Sequence, residues 1–128
     1  MIVELNIGLN VNGEANSQRQ CEQRAKQALQ YLKQKFSNVK SATYTNQYET
    51  NDGTLVLEPG LYVRISTTNS IFETYGVVYA LAIELCQDCI AVYSPRTGVG
   101  KLIGPSAGSW GEFDLTYFEQ FGDEFLVA

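Results

Sequence analysis

The chain has 128 residues, of which 45% are hydrophobic and 18% charged, and its formal net charge is −5. This length predicts a single domain over 1–128, and the balance of apolar and charged residues excludes a disordered chain. The net negative charge argues against binding of phosphate backbones as the main activity, so nucleic acid is not an expected partner.

No apolar run approaches the about 20 residues that cross a bilayer, and no basic leader precedes an apolar segment at the N-terminus. We therefore expect a cytoplasmic protein that makes no membrane contact. Cys21, Cys86 and Cys89 are then expected to be free thiols.

The first predicted strand shows strict alternation of apolar and polar residues. Its apolar members occupy every odd position and are Val3, Leu5, Ile7, Leu9 and Val11. Alternation with a period of two places them on one face of a sheet and leaves a polar opposite face. Asn12-Gly13 ends the strand.

A first helix is predicted from Ser17, which forms a capping-box pattern with Gln20. Apolar residues then recur at spacings of three and four, as in an amphipathic helix. They are Cys21, Ala25, Ala28, Leu29, Leu32 and Phe36. The helix is expected to end at Ser37-Asn38.

Two strands are predicted next. The first, from 39 to 48, is rich in Thr and Tyr, and Asn51-Asp52-Gly53 is a strong turn signal. The apolar residues from Leu55 to Ile65 keep odd parity across Pro59-Gly60. Because proline cannot donate to a ladder, this pair predicts a bulge, an edge or a loop between two short strands.

A second helix is predicted from Ser70, with a capping box closed by Glu73. Its expected inward stripe comprises Phe72, Tyr75, Val78, Tyr79, Ala82, Leu85 and Cys86, widened by Val77, Leu81 and Ile83. The chain is completed by four further predicted elements: a strand over 90–93, a turn over 94–98, a return strand over 99–103 and a short final helix from Asp114.

The order β-α-β-β-α-β predicts an α+β, ferredoxin-like fold. In that fold two helices cover one face of a four-stranded sheet of order 4-1-3-2, here extended by a hairpin strand and a terminal helix. The segments 87–93, 100–105 and 110–113 also resemble those of small uncharacterised proteins carried by phages and mobile elements. That resemblance covers the C-terminal third and implies no particular activity.

Two sequence motifs are predicted not to carry chemistry. Cys86 and Cys89 form a C-x-x-C at a helix C-terminus, where the helix dipole disfavours thiolate, and no histidine is present to complete a zinc site. Gly98-Val99-Gly100-Lys101 lacks the spacing of a phosphate-binding loop. The absence of histidine also removes the commonest general base. We therefore expect no cofactor and no metal.

The polar face of the sheet is the best candidate for a binding surface. If odd positions face the helices, even positions of the first and third strands face away, together with one residue of the fourth strand. The candidates are Asn6, Asn10, Tyr62, Arg64 and Tyr93. This face is expected to be covered by the terminal segment or by a second subunit, or to bind a protein, a nucleotide or RNA.

The terminal segment is a second candidate interaction element, because it concentrates aromatic residues among five carboxylates. Its proposed contact residues are Trp110, Phe113, Phe118 and Phe121. Left exposed, this surface would exceed that of an ordinary monomer, so the segment is expected to pack on its own domain or on another chain.

The sequence taken alone favours a small non-enzymatic interaction protein that acts through contacts with a protein partner or as a homodimer. The alternative is a small ligand-, nucleotide- or RNA-binding domain that uses the tyrosines and arginine of the sheet face. The third hypothesis is an enzyme whose catalytic groups are carboxylates.

Overall fold

The computed structural model describes residues 1–10 and 17–106, except for the side chains at positions 46 and 48. Five strands and two helices occupy these residues. They are β1 (Ile2–Gly8), α1 (Gln18–Lys35), β2 (Asn38–Glu49), β3 (Leu55–Ser66), α2 (Ile71–Glu84), β4 (Ile90–Ser94) and β5 (Val99–Ile103). The predicted terminal helix lies outside the described residues.

The five strands form one antiparallel sheet with the order β2-β3-β1-β4-β5. Its first four strands, read from β4, run 4-1-3-2, the order expected for the ferredoxin-like arrangement. β5 pairs with β4 as the return strand of a hairpin and forms one edge. The predicted α+β fold class is therefore confirmed.

The core lies between the sheet and the two helices, and the alternation in β1 determines which residues enter it. Leu5 and Ile7 have no exposed surface, and they pair in register with Val63 and Leu61 of β3, which are equally buried. β1 is shorter than predicted, because its ladder with β3 ends at Gly8 opposite Gly60. Leu9 is nevertheless 3% exposed.

Helix α1 begins as the sequence predicts. Ser17 is the N-cap, its side chain accepts from the Gln20 amide, and the Gln20 side chain accepts in return from the Ser17 amide. The predicted apolar stripe packs into the core, with Cys21, Ala28 and Leu32 among its buried members. The helix ends at Lys35, slightly before the predicted Ser37-Asn38 boundary, and Phe36 caps it in an extended conformation.

Strands β2 and β3 form a hairpin whose twelve-residue arms extend well beyond the end of β1. Of the three alternatives predicted for Pro59-Gly60, the bulge and the loop are wrong, since β3 runs unbroken from 55 to 66, and Pro59 lies at a local edge of the sheet where the β1 ladder has ended. The amide of Leu9 donates to the Pro59 carbonyl at 3.0 Å, so the backbone groups of Pro59 point towards the β1 side. The β1 ladder has ended there, and the missing proline N–H removes no bond to β2.

Helix α2 buries the middle of the predicted inward stripe, whereas several residues on both sides of that stripe are exposed. Ser70 caps it as expected, with its side chain accepting from the Glu73 amide. The buried residues are Thr74, Val78, Leu81, Ala82 and Leu85. Phe72, Tyr79 and Ile83, predicted to face inward, are 79%, 44% and 54% exposed. Because this helix is apolar on most sides, the predicted inward face contains the buried Val78 and Leu81 but is too wide.

Neither helix of the described ranges has the length and apolar character needed to cross a bilayer.

Candidate functional site

The polar face of the sheet holds a compact cluster of charged and hydrogen-bonding side chains at its centre. Glu4 of β1 lies directly opposite Arg64 of β3 on one side and opposite Tyr93 of β4 on the other. The Arg64 Nε atom is 3.8 Å from Glu4 Oε1, and Arg64 Nη2 donates to the Tyr62 hydroxyl at 3.5 Å. Tyr62 in turn is hydrogen-bonded to the Glu4 carboxylate.

Burial determines the electrostatics of this cluster. Tyr62 has no exposed surface and Glu4 is 8% exposed. Burial raises the pKa of Glu4 above its ordinary value, although the hydrogen bond from Tyr62 and the charge of Arg64 act in the opposite direction. Burial also raises the pKa of Tyr62 to about 12, against the lowering effect of its hydrogen bond with Arg64. Tyr62 is therefore a protonated hydrogen-bond donor at physiological pH.

A second pair of residues extends the cluster towards the β2–β3 hairpin. The Tyr44 hydroxyl donates to Asn6 Oδ1, and Tyr44 reaches Asn6 by lying across Gly60, its partner in the β2–β3 ladder. A Cβ atom at Gly60 would overlap the Tyr44 ring, so this crossing requires glycine. The Nδ2 atom of Asn6 is buried and has no hydrogen-bond partner within the described ranges.

The structure brings together four of the five residues predicted for the sheet face. Asn6, Tyr62, Arg64 and Tyr93 share the polar face, as strand parity predicts. Asn10 does not, because β1 ends at Gly8 and the chain bends after it. The backbone oxygen of Asn10 instead accepts from Gln87 Nε2 at 2.6 Å, and its side chain lies near Cys21.

The terminal contact residues Trp110, Phe113, Phe118 and Phe121 lie outside the described residues. The three cysteines are free thiols: Cys21 is buried, Cys86 exposed and Cys89 partly buried. Over residues 1–10 and 17–106, no group of three or more His, Cys, Asp or Glu side chains is arranged to hold a metal ion.

A groove of about 570 Å³ lies where the β2–β3 hairpin extends beyond β1 and faces the first turns of α1. Its hairpin wall comprises Thr43, Tyr44, Thr45, Leu57, Pro59 and Gly60. Its other wall comprises Leu9, Asn10, Gln18, Cys21, Glu22 and Ala25. This volume is within the range of about 300–1,000 Å³ that is typical of small-molecule sites.

The groove combines apolar and hydroxyl-bearing side chains with a single carboxylate. Leu57 and Pro59 supply apolar contact, Thr43 and Thr45 supply hydroxyl groups, and Glu22 is the one carboxylate among the residues lining it. The Cys21 thiol faces the Leu9 carbonyl and Asn10 Oδ1, each at 3.8 Å. Tyr44 lines the groove and also bonds Asn6 of the polar cluster, so it joins the two features across the sheet.

Several of these residues were not predicted as site residues. Glu4 has the parity of Asn6, so strand alternation could have placed it on the polar face. Tyr44 and Glu22 carry no local signal, because their role depends on how far the hairpin extends past β1 and α1. Arg24, whose Nε donates to the Leu9 carbonyl at 3.0 Å and whose Nη2 donates to the Leu85 carbonyl, was likewise missed.

The fold and the groove define an α+β domain with a ferredoxin-like sheet and a groove of about 570 Å³ beside it. No family model and no curated protein sequence matches the chain. Two solved structures share its fold. One is a phage SAM lyase in the apo state, with a TM-score of 0.54 and 22% identity over 87% of this chain and 91% of that chain.

The other is a phage SAM lyase in complex with S-methyl-5'-thioadenosine, with a TM-score of 0.55 and 19% identity over 87% of this chain and 92% of that chain. Both neighbours are enzymes, so the prediction of a non-enzymatic interaction protein is wrong. The finding agrees better with the alternative, a small ligand-binding domain. Both neighbours are also phage proteins, whereas no family model supports the resemblance of the C-terminal third.

Proposed function

We propose that this protein is a phage-related enzyme that binds SAM and releases S-methyl-5'-thioadenosine, with the ligand held in the groove between α1 and the β2–β3 hairpin. The observation that carries the proposal is the shared fold, over 87% of the chain, with a SAM lyase in complex with that thioether. The groove provides a cavity of suitable volume within the same fold.

The groove is a better ligand site than the centre of the polar face because it is accessible. Tyr62 and Glu4 are almost completely buried, whereas Thr43, Thr45 and Leu57 of the groove are exposed. A nucleoside ring can pack against Leu57 and Pro59 while the threonine hydroxyl groups bond its polar edge. The polar cluster on the opposite face of the sheet then holds Tyr44 in position through its hydrogen bond to Asn6.

The charge on the ligand gives Glu22 a specific role. SAM carries a sulfonium cation, whereas the thioether product is uncharged at sulfur. A carboxylate beside the groove attracts the substrate more than the product, which favours product release. We therefore assign Glu22 to substrate attraction.

Lyase chemistry on SAM needs little acid–base assistance. The bond between sulfur and the amino-acid chain breaks, and its electron pair remains on sulfur to give the neutral thioether. The departing chain is completed without water, either by ring closure onto one of its own groups or by a double bond, in which case a basic group accepts the proton that is released. Since the sulfonium needs no protonation to leave, the contribution of the site is to bind and orient the substrate.

The test is incubation of the purified full chain with SAM and detection of S-methyl-5'-thioadenosine by liquid chromatography and mass spectrometry, with calorimetric titration of both compounds. We expect the thioether to accumulate as SAM disappears. Failure of either compound to bind would overturn the proposal, and binding without cleavage would reduce it to a binding domain.

A matched pair of variants locates the site. Glu22→Gln should weaken SAM binding by about two- to fivefold, the effect of one exposed charge, and leave thioether binding unchanged. Glu84→Gln removes an exposed carboxylate from the end of α2 and should change neither SAM binding nor thioether binding. Equal effects of the two variants would mean that the groove is not the site.

A further inference from the structure

The outer edge of β2 is a long strand whose hydrogen-bonding groups meet no other strand of the described part of the chain. β2 is the terminal strand of the sheet and pairs with β3 over all twelve of its residues, so no bulge twists it away. The opposite edge, β5, has only five residues. Folded proteins usually shorten, bend or charge an edge of the length of β2.

The direction of the β2 backbone groups follows from the β3 ladder. The bonds from Leu9 to Pro59 and from Thr67 to the Met1 carbonyl show that odd-numbered residues of β3 bond towards β1. Even-numbered residues of β3 therefore bond towards β2, and their even-numbered partners in β2 bond inward. The odd-numbered residues of β2 present their N–H and C=O groups outward, and in the middle of the strand these are Val39, Ser41, Thr43, Thr45 and Gln47.

We propose that this edge pairs with the same edge of a second copy of the chain, in antiparallel register about a two-fold axis at Thr43. In this register Thr43 lies opposite Thr43 of the second copy, and Ser41 opposite Thr45. These are hydrogen-bonded positions, and threonine and serine pairs across strands are favourable. The two five-stranded sheets become one continuous sheet.

The charge pattern favours a second copy over a different strand. Lys40 is the one charged residue from 38 to 48, and the register places it opposite position 46 of the other copy, so no like charges meet. Thr43 and Thr45 are exposed, so pairing requires no displacement of their side chains from the core. An isologous contact of this kind closes a dimer and leaves no free copy of the edge.

The proposal is tested by the mass of the full chain in solution, measured by size exclusion with light scattering over a dilution series. We expect twice the 14.2 kDa chain mass at high concentration. Thr43→Pro removes an outward N–H and blocks the edge without removing a bond to β3, so it should give a monomer. A monomeric wild type, or a dimer that persists in folded Thr43→Pro, would overturn the proposal.

A cross-linking pair tests the register even if the proline variant fails to fold. In a background with Cys86→Ser and Cys89→Ser, Thr43→Cys should form an intermolecular disulfide on mild oxidation, since paired residues at such positions are about 5.5 Å apart at Cα. Gln47→Cys is the control on the same edge. In the proposed register it lies about eight residues along the strand from its symmetry mate, which is roughly 26 Å, so it should not cross-link. Equal cross-linking of the two variants would overturn the register. The readouts are mass and cross-linking, so they are independent of ligand binding.

Discussion

Tyr44 lies across Gly60, its direct partner in the β2–β3 ladder, and hydrogen-bonds to Asn6 on the next strand. The missing side chain at Gly60 is therefore what allows a β2 residue to reach β1. This relationship joins the wall of the groove to the polar cluster and leads to the first prediction.

Gly60→Ala should destabilise the protein by about 1–3 kcal/mol, because the new methyl group overlaps the Tyr44 ring. Tyr44→Ala removes the obstacle, so the double variant should lose less stability than the sum of the two single variants. Urea unfolding of the four proteins measures this coupling. Strict additivity would show that the ring does not occupy the space above Gly60.

Glu4→Gln should raise the free energy of unfolding at neutral pH. The folded-state pKa of Glu4 is raised above its ordinary value of 4.5, so the folded protein holds this proton more tightly than the unfolded chain. The stabilisation that this proton gives is present below the pKa of Glu4 in the unfolded chain. It is lost as the pH rises through the pKa of Glu4 in the folded protein. Glutamine resembles the protonated form and still accepts from Tyr62.

The measurement is chemical unfolding of wild type and Glu4→Gln at pH values from about 4 upward, which spans the ordinary pKa of glutamate. The stability difference between the two proteins should be smallest at the acidic end and should grow as Glu4 ionises. A variant that is less stable than wild type at neutral pH would show that attraction to Arg64 outweighs the effect of burial.

Arg24→Ala should cost about 1–3 kcal/mol of stability, because the guanidinium joins the end of β1 to the end of α2 through the Leu9 and Leu85 carbonyls. Arg19→Ala, on the exposed side of the same helix, is the matched control and should change stability by less than about 0.5 kcal/mol. Thermal and urea unfolding compare the two. Similar losses would indicate a general effect of charge on α1.

Two leucines of equal parity test the boundary of the core. Leu5→Ala should cost about 2–5 kcal/mol, since Leu5 has no exposed surface. Leu57→Ala should cost less than about 0.5 kcal/mol, since Leu57 is 54% exposed on the part of the hairpin that extends beyond β1. A large loss at Leu57 would mean that the overhanging hairpin is packed in solution.

Local patterns determined the elements of this fold. Alternation in β1 separates the two faces of the sheet because side chains in a strand repeat every two residues. The Ser17 cap and the stripe from Cys21 to Phe36 define α1 through interactions within a few residues along the chain. The order of these elements then leaves few alternatives to the observed sheet.

The site was decided by tertiary structure. The groove exists because β2 and β3 extend past the end of β1, a difference in strand lengths that no local pattern expresses. The inward face of α2 was predicted too wide because its apolar residues surround most of the helix, and only contact with the sheet separates the buried Val78 and Leu81 from the exposed Phe72. The sequence alone therefore determined which segments are strands and helices and which β1 residues are buried, since those depend on neighbours along the chain. The pairing of Glu4 with Arg64 and the crossing of Tyr44 over Gly60 depend on strands that meet only after folding.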